Sequence, residues 1–242
     1  MSSLIIDLQY FGSVDWYKKV YNYKHVYLSE YEKHAKMSFR NRTLLASADG
    51  VLRLSVPIVD GRNERQFYKA IKIVAGRWPK EHFRAIVSCY NRSPWFEHYR
   101  DELAALFERE YEYLFDWNLA CHDWVAAKLK LPTNFIRCNS AEEYAAVCTG
   151  ADENWVNRIR PRKEENAGDG AMTNSGGTNS GEVNPSGANP GGTNPGEDGP
   201  RQLGTVRPYR QVFQEKTGFI AGLSILDLLF CEGPLAANFL ST

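Results

Sequence analysis

The chain has 242 residues, 43% of them hydrophobic, which is enough to bury a full core. Its 29 basic residues are balanced by 29 acidic ones and no strongly basic block stands out, so a general nucleic-acid binder, which must neutralise phosphates, is not expected. Cys89, Cys121, Cys138, Cys148 and Cys231 are odd in number and lack CxxC spacing, so they fit neither a disulfide framework nor a metal site, and a reducing cytoplasm is the simplest home.

The N-terminal Leu4-Ile5-Ile6-Asp7-Leu8 is too short and lacks the basic flank of a signal peptide; it reads instead as a buried strand. The chain then enters a helix through Ser13, a suitable cap, with Trp16, Val20 and Tyr23 at helical spacing. This order puts Gln9 and Tyr10 just past the carboxyl end of a strand, the usual ligand position in open α/β sheets. No glycine-rich phosphate fingerprint follows, and the sequence implies no cofactor. His25 to Leu28 predicts a second strand. Met37 to Leu45 and Val51 to Val59 predict a strand pair turning at Ala48-Asp49-Gly50, and Ala70 to Val74 repeats their alternation.

Three helical runs follow between Lys80 and Leu131, the longest helical signal in the chain. In the first, His82, Phe83, Ile86, Cys89 and Tyr90 fall on one side, with Pro79 suited to the first turn. In the second, Tyr99, Leu103, Leu106, Phe107, Tyr111 and Leu114 form an apolar stripe opposite charged residues. Asn91-Arg92-Ser93-Pro94 separates the two and leaves Tyr90 and Asn91 at a helix end. The third runs from Leu119 to Leu129, capped by Asp116 or Asn118 and ended by Pro132. Asn134 to Cys138 then predicts a strand and Ser140 to Val147 a helix with a capping box at Ser140 and Glu143. The basic run Arg158 to Lys163, followed at once by Glu164 and Glu165, reads as a solvated domain edge.

Residues 166–202 change character to a slipping repeat of Gly, Asn, Pro, Ser and Thr that cannot bury enough surface to offset its ordering entropy, so disorder is expected. Beyond it, Tyr209 to Phe213 reads as extended and Leu223 to Phe230 as a helix. That ending is too short to fold alone and must dock on the first part. The expectation is therefore one α/β domain, a mixed β-sheet with packed helices, made of residues 1–165 and 203–242 and interrupted by a disordered loop. No stretch approaches the eighteen or so apolar residues of a membrane span.

Several stretches carry a resemblance: Tyr10-Phe11-Gly12 with Trp16-Tyr17, Phe39-Arg40-Asn41-Arg42, Leu54 to Ile58, His82 to Asn91 with Pro94-Trp95-Phe96, and Gly218-Phe219 through Glu232-Gly233-Pro234. In this order they resemble the WbqC-like protein family across nearly the whole chain outside the repeat. Members are bacterial and take their name from surface-polysaccharide gene clusters, such as those for lipopolysaccharide O-antigen. The resemblance implies cytoplasmic work on sugar nucleotides or glycan precursors without giving a reaction. A proline often follows the aromatic pair in the family, where this chain has Gly12-Ser13.

Seven residues are singled out as a site: Gln9, Tyr10, Asn41, Arg42, His82, Tyr90 and Asn91. His82 suits a general base, or is a satisfied helix histidine. Arg42 suits bidentate capture of a carboxylate or phosphate, while Arg40 alternates to the opposite, solvent face. Tyr90 and Asn91 either orient a ligand or merely end their helix. His82 and Tyr90 are eight positions apart, about 80° around a helix, so they share a face about 12 Å long. All seven are expected to converge on one concave site. Two functions follow: a transferase on an amino sugar or sugar nucleotide, with Arg42 on the anion, His82 as base and Tyr90 and Asn91 on the acceptor, or a non-catalytic accessory or binding protein of glycan assembly. The expected partner is a sugar-like or anionic small molecule, with no metal and no nucleic acid.

Overall fold

The computed structural model describes residues 2–61, 66–161 and 207–241. The Gly/Asn/Pro/Ser/Thr-rich segment 166–202, expected to be disordered, lies outside them. Four strands form a wholly parallel sheet in the order β5-β2-β1-β6, with β1 at Ser3–Asp7, β2 at His25–Ser29, β5 at Asn134–Arg137 and β6 at Glu153–Asn154. A separate antiparallel hairpin pairs β3 (Arg42–Ser47) with β4 (Gly50–Ser55) through the anticipated Asp49-Gly50 turn. Among the described residues no helix is long and apolar enough to cross a membrane.

Local chemistry explains the helices. In α1 (Val14–Tyr21) the Ser13 hydroxyl accepts from the Trp16 amide at 3.2 Å, so Ser13 is the cap. Just before it, Phe11 adopts a φ of 40°. Its carbonyl accepts from Thr43 and Ser224 hydroxyls, and its ring lies edge-on to Trp117 and Trp124, contacts that together over-determine the conformation.

The three helical runs become α2 (Trp78–Tyr90), α3 (Phe96–Phe107) and α4 (Leu114–Leu129). Leu114, expected to end the second stripe, opens α4 instead, so neither Asp116 nor Asn118 is its cap. The residue at that position, Tyr113, contributes no side-chain hydrogen bond. Lys130 closes α4 in the left-handed region two residues before Pro132. In α5 (Ala141–Gly150) the Ser140 hydroxyl accepts from the Glu143 amide, while the Glu143 carboxylate accepts from Asn139 N rather than closing a strict box.

Two other expectations are corrected. Ala70 to Val74 is not a strand: a 3-10 turn at Tyr68–Ala70 leads into isolated pairings of Lys72 with Tyr113 and Ile73 with Ile58. The Met37 to Asn41 stretch is turn rather than strand, with Met37 at a φ of 56°, so strand alternation does not apply to Arg40. Far from facing solvent, Arg40 is wholly buried.

The segment after residue 206 packs into the same core. It contributes α6 (Gln214–Thr217), α7 (Ile225–Glu232) and a 3-10 turn at Gly233–Phe239. Ser224 donates its amide to Leu44 O, Ile225 to Gly12 O, and Val14 to Leu223 O, so this segment ties the first loop to the hairpin. Asp227, fully buried, accepts from Tyr209 at 2.6 Å and Gln211 at 3.0 Å, and the Phe230 ring packs on Tyr90 at 5.2 Å, which fastens α7 to the end of α2. Gly233 has a φ of 56°, and a Cβ there would lie 2.3 Å from the Trp95 indole, so only glycine fits this close approach.

Candidate ligand-binding site

The carboxyl ends of β1 and β2 carry charge into the interior. Asp7 ends β1, while Glu30 and Glu32 follow β2 directly, and all three are buried. Between Asp7 and Glu32 lies Arg40, with NH2 2.9 Å from Glu32 Oε1 and Nε 3.8 Å from Asp7 Oδ2. Its guanidinium also donates to Lys33 O at 2.9 Å and Asn157 Oδ1 at 2.8 Å, and stacks over Tyr68. The Ser29 hydroxyl donates to Glu32, and Asn157 N donates to Asp7 at 2.7 Å. Burial outweighs the pull of Arg40, so the Asp7 carboxyl is raised and that of Glu32 is pushed up to about 7. Gln9 Oε1 and Asn118 Oδ1 are buried here without hydrogen-bond partners, while Asp7 Oδ2 and Arg40 Nε meet only as an ion pair. Polar atoms left in this state carry a desolvation cost.

The seven residues chosen from sequence fall into separate contacts. Tyr10 and His82 do meet: the Tyr10 hydroxyl lies 3.0 Å from His82 Nδ1, and the rings stack at 5.8 Å. His82 also packs against Trp78, and burial lowers its pKa to about 4, so the ring is neutral at pH 7. A buried base with a lowered pKa stabilises the fold fully above the unfolded value of 6.5, and that contribution is lost as pH falls toward 4. Gln9 donates to Ile159 O at 3.2 Å. Asn41 closes the hairpin base on Val56 O, and Arg42 reaches Met37 Sδ. The Tyr90 hydroxyl accepts from Ala46 N at 3.0 Å, and exposed Asn91 caps α2 through its backbone. None of the seven lines either of the two clefts that adjoin this region.

The larger cleft, about 970 Å³, opens at the start of α2. Trp78, Phe83, Phe107, Tyr111 and Trp117 give it an aromatic wall, and Tyr10 and His82 stand directly behind Trp117 and Trp78. Arg77, Lys80, Arg84 and Arg109 line it, all exposed and none in an ion pair among the described residues. Glu108, Glu110 and Glu112 oppose them, but Glu112 is already held by Lys72 at 2.7 Å. Trp117 is 1% exposed, yet its indole N–H has no partner. The positive end of the 13-residue α2, which no side chain caps, adds to the cationic character. A second cleft of about 470 Å³ lies at the carboxyl ends of β2 and β5, between Glu30, Arg137 and the first turn of α4. Among the described residues no group of three or more His, Cys, Asp or Glu side chains is placed to hold a metal ion, and the five cysteines are free.

Sequence reasoning missed Arg40 because turn was read as strand. It missed Asp7, Glu30 and Glu32 because the carboxyl-end rule was applied only to Gln9 and Tyr10. The cations of the large cleft come from the start and middle of α2 and from the loop after α3, and they show no single motif.

These features define an α/β protein with a parallel sheet, a charged carboxyl edge and an aromatic, cation-rimmed cleft beside it. The model of the WbqC-like protein family matches residues 9–166, more than half of the chain, and the chain belongs to that family. Comparison with curated proteins and with solved structures yields no match.

Proposed function

We propose that this protein binds a nucleotide-activated sugar in the 970 Å³ cleft and acts as a cytoplasmic transferase in bacterial surface-polysaccharide synthesis. The observation that carries the reading is the pairing of an aromatic wall with four cations free of ion pairs among the described residues. A nucleoside diphosphate asks for both: ring faces for the base and unpaired guanidinium or ammonium groups for the phosphates. The polysaccharide setting comes from what the WbqC-like resemblance implies.

The second reading, a binding protein without catalysis, is favoured by one observation. His82 is already engaged by the Tyr10 hydroxyl, and with a pKa of about 4 it is a weak base at pH 7. We assign it to supporting the cleft wall through Trp78, with Tyr10 as its partner. Of the other residues singled out, Gln9, Asn41, Arg42, Tyr90 and Asn91, none enters this cleft, and each is assigned here to holding the scaffold.

Thermal melting with UDP-sugars, GDP-sugars, dTDP-sugars and plain UDP tests the binding. At a hundredfold excess over the dissociation constant, a ligand adds about 2.7 kcal/mol, which moves the midpoint of a chain this size by roughly 5 to 10 °C. The double variant Arg84→Glu, Arg109→Glu is expected to weaken binding by at least about tenfold while leaving the ligand-free midpoint near that of the native chain, since both side chains are exposed. Nucleotide stabilisation that survives the charge reversal would place the ligand elsewhere. Turnover of the bound nucleotide sugar separates the transferase from the binding protein.

A further inference from the structure

A short clip, in which Ile73 donates to Glu112 O and Leu114 to Ile71 O, both at 2.9 Å, joins the linings of the two clefts. Ile73 and Glu112 line the large cleft, and the next residue, Tyr113, lines the second. Their chemistry differs. The second cleft holds two carboxylates, Glu30 and Asp116, and two cations, Lys69 and Arg137, so its formal charge is balanced. Its cations are engaged: Arg137 donates twice to Glu30 Oε2, at 3.1 and 2.8 Å, and lies over Phe115, while Lys69 lies 4.0 Å from the centre of the Tyr31 ring. Asp116 stands 4.0 Å from Arg137 NH1, loosely held and about half exposed. Asn139 and Tyr31 complete the rim, with the Tyr31 hydroxyl donating to Asn139 O.

We infer that this second cleft is a subsite for an uncharged, hydroxyl-rich ligand, a sugar ring serving as acceptor beside the nucleotide. The inference rests on the proposed transferase reading. With two carboxylates against two cations, and with Arg137 held by Glu30, the cleft offers an anion no net attraction. Its paired ions still offer hydrogen bonds: both Arg137 bonds end on Glu30 Oε2, which leaves Oε1 outside the pairing, and Asp116 and Asn139 retain acceptor capacity. Hydroxyl groups both donate and accept, so they satisfy such groups without bringing a net charge into the cleft. The partly exposed Tyr113 adds apolar ring surface for the C–H face of a pyranose. About 470 Å³ is ample for one ring and small for a nucleotide sugar, which the larger cleft accommodates.

The test is a titration of the full-length protein, followed by backbone amide NMR, with methyl glucoside, methyl galactoside and methyl N-acetylglucosaminide, and in parallel with glycine, inorganic phosphate and UDP. The expected result is saturable shifts at Tyr31, Lys69, Tyr113, Asp116 and Asn139 with at least one glycoside, and at Arg77, Trp78, Lys80 and Tyr111 with UDP. Asp116→Ala and Asn139→Ala should each weaken glycoside binding by about tenfold and leave UDP binding unchanged. The inference is overturned if no glycoside gives saturable shifts, if the shifts map to the large cleft, or if only glycine or phosphate perturbs the second. Glycoside binding without UDP binding would sink the proposed nucleotide cleft and spare this one; UDP binding without glycoside binding would do the reverse.

Discussion

A chain ending at Gly204 is expected to lose cooperative folding altogether. The segment it lacks places Leu223, Ile225, Leu226, Leu228, Leu229 and Phe230 in the core, each at most 1% exposed. Burial of six such side chains contributes roughly 9 to 18 kcal/mol before any entropy is counted, which matches or exceeds the 5 to 15 kcal/mol by which domains are usually stable. The loss is also structural. Without the segment, Val14 N, Gly12 O and Leu44 O lose their partners, Trp95 N loses Phe230 O, and the rings of Tyr90, Phe96 and Tyr99 lose the Phe230 side chain they pack against. Far-UV circular dichroism and a thermal melt of the shortened chain check this. A sigmoidal melt near the native midpoint would show that the first part folds alone.

Arg40→Met is expected to destabilise the protein by about 3 to 5 kcal/mol at pH 8, because it keeps the volume but leaves Asp7 and Glu32 as buried carboxylates without their cation. The pH dependence identifies the cause. Glu32 has a folded pKa of about 7, above the ordinary value of 4.5, so the folded state holds this proton more tightly than the unfolded state. Stability from this group is therefore full below about 4.5 and is lost as pH rises through 7. Removing Arg40 takes away the attraction that lowers both carboxyls, so in the variant they titrate higher still. Below those values both are neutral and the missing cation matters less. The deficit should thus be large at pH 8 and shrink toward pH 5, read by urea unfolding at the two pH values. A deficit that is the same at both, or below about 1 kcal/mol at pH 8, would mean that the cluster is not held as ions.

The legible part of the fold was the part set by short-range pattern. A short β-branched run marked β1, alternation marked β4, Asp49-Gly50 marked the hairpin, and Ser13 and Ser140 marked helix starts that the backbone then used. What escaped was set by partners distant in sequence. Leu114 belongs to α4 and not to the stripe before it because its amide is taken by Ile71 O. Arg40 is buried because Asp7, Glu32 and Asn157 meet it from three other stretches, a convergence that no local window contains. The same applies to the candidate site: Tyr10 and His82 do meet across 72 positions, but the clefts beside them are built from α2, α4 and the loops at 73–77 and 108–113.

The central claim, that the aromatic cleft holds a nucleotide, is tested most directly at Trp117. Its buried indole N–H has no hydrogen-bond partner and belongs to a residue lining the cleft. The chain has six tryptophans, so indole N–H resonances are few, and Trp117→Phe identifies the one required. On saturation with a nucleotide sugar, the account predicts a clear shift of the Trp117 indole signal, a smaller one for Trp78, and none for Trp155, which packs near Lys19 and lines neither cleft. A Trp117 signal that stays in place while the protein is demonstrably saturated would contradict it.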